Sequence, residues 1–159
     1  MLPSMIAHVA NEYTYARAKP FAGSDFRVFV TLDMVKEAQA SIALWPFELT
    51  VRASVGRSHW AAVPWLAFMN PRITQVATHG VYVVALINAP DQTISLGLVH
   101  ATHAVTRDFG RVKGRQILLE RTDVIRKALP EFVSLFESDP ISLGSPAPLA
   151  VDYEHGFAF

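Results

Sequence analysis

The sequence predicts an α+β domain in which a mostly antiparallel, curved sheet is flanked by N-terminal and C-terminal helices. Apolar residues recur at helical spacing near both ends of the chain and alternate with polar residues in the middle. A chain of 159 residues is long enough to bury one proper core without a second. We therefore expect a single domain over residues 1–159.

Two helices are predicted before the first strand. The first runs from about residue 3 to 17 and ends before Lys19-Pro20. Its apolar face consists of Leu2, Met5, Ile6, Val9 and Tyr13. The second begins at Asp33, a residue type suited to a helix start. Its apolar face consists of Met34, Val35, Ala38 and Ile42.

The central part of the chain reads as strands. Residues 47–55 alternate between apolar and polar side chains, which is the period-2 pattern of a half-buried strand. Two apolar runs follow, over 63–69 and 80–88, and the second ends at the turn signal Ala89-Pro90-Asp91. Since alternation resumes at Ile94, residues 80–99 are predicted to form a β-hairpin.

The C-terminal part returns to helix. One predicted helix carries Ile117, Leu118, Arg121, Val124, Ile125 and Ala128 on one face. Pro130 either ends this helix or begins a short one that contains Phe132, Val133 and Phe136. Residues 144–150 are predicted to be a loop, and residues 151–159 an edge strand that closes the sheet.

Composition narrows the class of protein. With 51% hydrophobic and 18% charged residues, the chain is too apolar for a disordered protein, and it has no apolar run of about 18 residues for a membrane span. The first residues lack the features of a secretory signal, so we expect a cytoplasmic protein. The absence of cysteine excludes disulfides, thiolate zinc sites and a cysteine nucleophile.

Charge is unevenly distributed although the formal net charge is zero. Between residues 107 and 127 the bases are Arg107, Arg111, Lys113, Arg115, Arg121, Arg126 and Lys127, whereas every charged residue after 127 is acidic. This asymmetry permits a local basic surface, but a solvated helix face explains it equally well. Five residues are candidates for contacts to phosphate groups. They are Arg52, Arg72, Arg111, Lys113 and Arg115.

Motifs for common catalytic chemistry do not fit. Neither Gly56-Arg57-Ser58 nor the segment 110–114 supplies a phosphate-binding loop, and Trp60 stands where a nucleophile elbow needs glycine. His100 and His103 form an HxxH spacing that could hold a metal ion on a helix. In an extended segment this spacing points the two side chains to opposite faces, so we expect structural or surface histidines and no metal site.

A set of residues in the middle of the chain resembles a known family. These residues are Ser54, Gly56, Trp60, Ala61, Pro64, Trp65, Gly80, Tyr82, Leu86 and Leu96. Their pattern resembles the N-terminal, DNA-recognising domain of McrB-type modification-dependent restriction systems, the MrcB-like N-terminal domain family. The resemblance is clearest over 47–103. Beyond this range it rests on the order of a late helix, a strand at 141–143 and a Tyr153-Glu154-x-Gly156 ending.

The resemblance implies a non-catalytic domain, without a cofactor, that binds double-stranded DNA. A base such as 5-methylcytosine would be flipped into an aromatic pocket at whose positions Trp65, Tyr82 and Leu86 stand. The family's loop aromatic is replaced here by Arg57; His59 or Trp60 could substitute, or the Arg57 guanidinium could stack on the base. The resemblance also implies an AAA+ GTPase module and a nuclease subunit elsewhere, so we expect a domain excised from a longer restriction protein.

Independent support from the residues is partial, and three alternatives stay open. In an extended register Tyr82 and Leu86 share one face, but a tryptophan in an apolar run is also a common core residue. One alternative is a reader of another mark, such as N6-methyladenine, or of flipped RNA nucleotides. The second is a metal-dependent enzyme that uses His100 and His103. The third is a protein-interaction domain.

Overall fold

A four-stranded antiparallel sheet in the order β1-β2-β3-β4 forms the centre of the protein. The computed structural model describes residues 1–137 and 139–159. The strands are β1 (Thr50–Gly56), β2 (Trp60–Met69), β3 (Val81–Asn88) and β4 (Thr93–His100). Since helices precede and follow this sheet, the predicted α+β class is confirmed, with every strand pair antiparallel.

The predicted hairpin is present and its register is regular. Val81 lies opposite His100 and Asn88 lies opposite Thr93. The Asn88 side chain holds the turn, because its Oδ1 accepts a hydrogen bond from the Asp91 amide at 3.1 Å and its amide group donates to the Ser142 carbonyl at 3.1 Å. The hairpin therefore also anchors the chain that returns from the C-terminal helices.

The first strand begins later than predicted. Residues 47–49 lie outside β1, which starts at Thr50. The Phe47 ring instead packs edge-on against Trp45, with the ring centroids 5.6 Å apart, and Phe47 remains half exposed. The alternation of apolar and polar residues includes this segment, but no strand in the described part of the chain pairs with it.

The two faces of the sheet are covered by different parts of the chain. One face, which we call the N-face, carries Val51, Val55, Leu66, Ala85 and Ile87 and packs against the N-terminal helices. The other, the C-face, carries Ala67, Met69, Tyr82, Val84, Leu86 and Val99 and packs against the C-terminal segment. Because side chains alternate along each strand, one sheet supports both cores.

The N-terminal helices that cover the N-face form a more continuous helical segment than predicted. Helix α1 spans Leu2–Arg17, as expected. The next helical stretch begins at α2 (Asp25–Val28), passes through a π-helical turn (Phe29–Asp33) and continues as α3 (Met34–Ile42). The prediction that this helix begins at Asp33 is wrong, because the Ser24 hydroxyl caps the true start by accepting a hydrogen bond from the Arg27 amide at 3.3 Å.

The C-terminal cover contains four helices. They are α4 (His103–Phe109), α5 (Arg111–Ala128), α6 (Pro130–Val133) and α7 (Pro148–Gly156). The predicted break at Pro130 is confirmed. The predicted face of α5 is partly wrong, since Val124 is 65% exposed while Leu118 and Thr122 are buried.

The predicted edge strand over 151–159 is wrong. Residues 148–156 are helical, and only Phe157 pairs with the sheet, through a single antiparallel bridge to Val99. The helix is favoured because Pro148 stands in its first turn, and because it places Asp152 against two arginines of α5. The strand expected at 141–143 is also absent from the assigned elements; Leu143 is buried there, and its amide donates to the Glu154 carboxylate at 2.8 Å.

None of the helices in the described part of the chain is long and apolar enough to cross a membrane.

Candidate nucleic-acid interface

Trp65 lies in the middle of β2 on the C-face. Its cross-strand neighbours are Ser54 on β1 and Leu86 on β3. The side chain packs on the C-face core but remains partly exposed. Within the described chain its indole N–H has no hydrogen-bond partner, so Trp65 offers both an aromatic surface and a free donor.

Tyr82 and Leu86 lie on the same face of β3, as the strand register requires. Leu86 is fully buried next to Trp65, whereas Tyr82 is 4% exposed and its hydroxyl donates to the Ala77 carbonyl at 2.9 Å. Burial, together with the neighbouring Tyr153, raises the pKa of Tyr82. The structure thus brings Trp65, Tyr82 and Leu86 to one core, where the latter two form the interior wall.

The loop between β2 and β3, residues 70–80, folds over Tyr82. The Thr74 hydroxyl lies 2.9 Å from the Val76 carbonyl and 2.6 Å from the His79 carbonyl, which holds the loop in a compact turn. Gly80 has a φ of 76°, and a Cβ there would lie 2.9 Å from the Thr74 side chain. These contacts hold the loop in a defined conformation over the Tyr82 hydroxyl.

Trp60 lies on the opposite side of the sheet from Trp65. Its ring packs edge-on against Phe21 and Tyr13 in the N-face core, with centroid distances of 5.1 and 5.8 Å. Its indole N–H donates to the Lys19 carbonyl at 2.8 Å. The structure does not bring Trp60 together with the other predicted pocket residues.

Arg57 lies at the tip of the exposed loop that joins β1 to β2. The base of this loop is rigid. Gly56 has a φ of 122°, and a Cβ there would collide with the His59 carbonyl. The Tyr13 hydroxyl lies 2.8 Å from the Ala61 carbonyl and 3.2 Å from the Val55 carbonyl, and so ties α1 to both strands.

Three arginines at the β1 edge have no acidic partner among the described residues. Arg52 lies on β1, diagonally across from Trp65 on the C-face, because its direct neighbour on β2 is Ala67. Arg57 follows the end of β1, and Arg72 follows the end of β2, beside the start of β1. All three are exposed, and none forms a side-chain ion pair in the described part of the chain. We call Arg52, Arg57 and Arg72 the β1-edge arginines.

The α5 residues predicted to contact phosphate differ from the β1-edge arginines, because they interact with other groups of the protein itself. The buried Asp152 carboxylate receives Arg115 at 2.8 Å and lies 3.5 Å from Arg111. Lys113 lies above the Phe109 ring, 5.7 Å from its centroid. The charges of Arg111 and Arg115 are therefore directed at an internal acid, which leaves less of their field for an external anion.

His100 and His103 do not form a shared site. His100 ends β4 and His103 begins α4. The His100 Nδ1 lies 2.9 Å from the Ala101 carbonyl and its Nε2 lies 3.2 Å from the Arg121 guanidinium. Since a carbonyl can only accept and a guanidinium only donate, Nδ1 carries the proton and both ring nitrogens are occupied. Burial, reinforced by the Arg121 charge, lowers the pKa of His100. Among the described residues no group of three metal-ligating acids or histidines occurs.

Two residues that shape this region escaped the sequence interpretation. Tyr13 was assigned only to a helix face, although its hydroxyl fixes the loop that carries Arg57. Asp152 is one of the acids that follow residue 127, and in the structure it is 1% exposed and pairs with Arg111 and Arg115 of α5. The signal for Asp152 was available, because an acid within the apolar stretch 149–153 needs a basic partner if that stretch is buried.

Comparison with known proteins places the chain in a family. The family described as MrcB-like, N-terminal domain matches residues 8–159, and this match confirms the resemblance found in the central part of the sequence. No curated protein and no solved structure matches the chain. The family supports a binding rather than a catalytic role, with DNA, in a restriction system of the McrB type. Because the match spans nearly the whole chain, this protein belongs to the MrcB-like N-terminal domain family.

Proposed function

We propose that this domain binds double-stranded DNA that carries a modified base, 5-methylcytosine or a related modified cytosine, and holds the flipped base against Trp65. One observation carries the proposal: a partly exposed tryptophan with a free indole N–H shares a sheet face with the unpaired Arg52. An aromatic surface is what an unstacked base requires, and an unpaired guanidinium is what a phosphate requires.

The β1-edge arginines suit the dimensions of a duplex. Strand β1 has seven residues and therefore spans about 20 Å, with Arg72 near one end and Arg57 just beyond the other. At about 3.4 Å per base pair this length corresponds to about six base pairs. Arg52 and Arg72 would bind phosphate groups along this length and fix the position of Trp65 relative to the flipped nucleotide, whereas Arg57, beyond the far end of the strand, would contact the base itself.

The free energies indicate that base stacking and phosphate contacts must both contribute to DNA binding. Flipping a base costs a few kcal/mol, and stacking on one aromatic ring returns about 1–3 kcal/mol. A methyl group in an apolar slot adds about 0.8 kcal/mol, which corresponds to less than tenfold discrimination. We therefore expect the arginines to supply much of the affinity and Trp65 to supply a modest preference for the modified base.

Tyr82, Leu86 and Arg57 have distinct proposed roles. Leu86 and Tyr82, being buried, would support the Trp65 ring from the core and form the inner wall of the pocket. Arg57, on its rigid loop, would provide the second surface by stacking its guanidinium plane on the base. In a cytoplasmic restriction system the AAA+ GTPase module and the nuclease subunit would then act on the DNA that this domain selects.

The test compares Trp65→Ala with the wild type on duplexes that differ in one base. Binding is measured at fixed ionic strength to unmodified DNA and to DNA containing 5-methylcytosine, 5-hydroxymethylcytosine or N6-methyladenine, and to a matched single-stranded RNA. Wild type should prefer a modified cytosine, and Trp65→Ala should lose the preference but keep weak, salt-sensitive binding. Trp45→Ala is the matched control, since Trp45 is exposed outside the sheet.

Two outcomes would contradict the proposal. If Trp65→Ala keeps its preference for the modified duplex, the flipped base does not rest on this ring. If Trp65→Ala unfolds, Trp65→Phe takes its place, because phenylalanine keeps an aromatic face and lacks the indole N–H. Preferential binding of the modified duplex with no fluorescence change from a 2-aminopurine placed next to the modified base would also refute base flipping here. Preference for N6-methyladenine or RNA would assign a different mark to the same surface.

A further inference from the structure

Strand β4 forms the sheet edge opposite β1, and part of its backbone is unpaired. The Leu98 carbonyl points outward, since it accepts a hydrogen bond from the Ala158 amide at 2.8 Å. Because backbone groups of alternate residues point to the same side of a strand, those of Leu96 and Ile94 also point outward. In the described chain these outward groups form no backbone hydrogen bond.

Exposed apolar side chains accompany this free edge. Leu96 is 61% exposed, and Ile94 and Val83 are about 40% exposed. Leu96 and Val83 line a groove of about 400 Å³ between β4 and α6, and Ile94 lines an adjoining cavity. The walls of the groove are apolar and include Val83, Leu96, Leu129, Phe132, Phe136 and Phe159. An exposed apolar edge strand is a site to which another strand can add, and proteins that leave one uncovered commonly use it for binding.

The free edge already accepts a strand at one end. Phe157 forms an antiparallel bridge with Val99, and the neighbouring Ala158 amide reaches Leu98. In the described chain this pairing involves residues 157 and 158, and Ile94 and Leu96 have no partner on this side. An extended segment paired with Ile94 and Leu96 would therefore follow a geometry that the sheet accommodates.

The charge around the groove indicates what kind of segment fits. An adjoining cavity of about 680 Å³ shares Leu96, Phe136 and Phe159 with the groove and adds the acids Asp91, Glu137 and Asp139. Among the described residues that line the two cavities, none is lysine, arginine or histidine. A second copy of this chain would bring a second set of these acids to the same place, whereas a basic segment would neutralise them.

We propose that the free part of β4, with the groove and its acidic rim, binds an extended segment of a protein partner in which apolar and basic residues alternate. The segment pairs as an added strand with the backbone of Ile94 and Leu96. Its apolar side chains enter the groove, and its basic side chains face Asp91, Glu137 and Asp139. Because β4 and β1 are opposite edges of the sheet, a partner bound here leaves the β1-edge arginines accessible, and the proposal does not depend on DNA binding.

The probe is a capped seven-residue peptide of alternating lysine and valine. The charge control is the same peptide with glutamate in place of lysine. Titration into labelled protein, followed by amide chemical shifts and hydrogen exchange, should perturb Ile94 and Leu96 and slow their amide exchange at least tenfold. Leu96→Lys should weaken binding at least tenfold. Leu32→Lys is the matched control, since Leu32 is 63% exposed on the helical segment of the N-face and should bind as the wild type does. The double variant Glu137→Gln, Asp139→Asn should weaken binding several-fold.

Three results would overturn the proposal. The first is no binding of the lysine–valine peptide at millimolar concentration. The second is equal binding of the glutamate–valine peptide, which would remove the charge argument. The third is concentration-dependent dimerisation in sedimentation that Leu96→Lys abolishes, which would make a second copy the occupant of this edge.

Discussion

The contrast between Arg52 and Arg115 gives the sharpest test of where DNA lies. Arg52 is exposed and unpaired on the sheet face of Trp65, whereas Arg115 donates to the buried Asp152 carboxylate at 2.8 Å. Each phosphate that a protein neutralises contributes about −0.9 to the slope of log K against log salt. From 50 to 200 mM salt this slope corresponds to about 3.5-fold in affinity for each contact. Arg52 and Arg72, the two β1-edge arginines proposed to contact phosphate only, would therefore account for a slope of about −1.8, or about 12-fold over the same range.

Arg52→Gln should make the slope shallower by about 0.9 and weaken binding to modified and unmodified duplexes alike, because phosphate contacts carry no base information. Arg115→Gln should leave the slope nearly unchanged. It should instead lower the free energy of unfolding by about 1–3 kcal/mol, since the Asp152 carboxylate, 1% exposed, would lose its closest donor.

The assay is fluorescence anisotropy with a labelled duplex at four salt concentrations, paired with urea unfolding of each variant. Lys36→Gln is the charge control, because Lys36 is exposed on α3, which covers the N-face, and its loss changes net charge by the same amount. If Arg52→Gln behaves as Lys36→Gln does while Arg115→Gln reduces the slope by about 0.9, DNA contacts α5 and the assignment of the β1 edge is refuted.

Two further predictions concern groups that stabilise the fold. Tyr13→Phe should lower the free energy of unfolding by about 1–1.5 kcal/mol, because it removes the hydroxyl that lies 2.8 Å from the Ala61 carbonyl and 3.2 Å from the Val55 carbonyl. Urea unfolding measures this difference, and an unchanged midpoint would show that the base of the β1–β2 loop does not need the hydroxyl. His100 has a pKa below its ordinary value in the folded protein, so the unfolded chain binds its proton more readily; stability should be full above about pH 6.5 and fall as the pH drops below it. His100→Gln keeps a donor and an acceptor and should flatten unfolding free energies between pH 7.5 and 5.5, whereas a profile identical to that of the wild type would assign the pH dependence to other groups.

Local pattern was sufficient for most of the sheet. The alternation of apolar and polar residues located β1 and the hairpin to within a few residues, because one buried face imposes a period of two on the sequence. The same reasoning failed for residues 148–156. There the deciding interaction is the ion pair of Asp152 with Arg115, a contact across 37 positions in the sequence that no local window contains.

The candidate site, like the fold, could be predicted from the sequence only in part. The register of β3 was enough to place Tyr82 and Leu86 on one face, and the structure puts Trp65 opposite Leu86 in the same core. For Trp60 a local signal did exist, because residues five apart on one strand point to opposite faces. Its weight was limited, since the strand pairing shifts between Ser54 and Gly56 and alternation is less regular across such an irregularity.

The distribution of charge has a meaning that counting residues did not show. The sequence drew attention to the bases between 107 and 127, but the structure directs several of them inward, toward Asp152 and, for Arg126, toward the Ala158 carbonyl at 2.7 Å. An arginine that satisfies a buried acceptor stabilises the fold and has less to offer a phosphate. The β1-edge arginines lie in a stretch of ordinary composition, yet they have no internal acceptor among the residues that the structure describes. A net charge of zero therefore does not argue against DNA binding here, because the field at one edge depends on which charges remain unpaired rather than on their sum.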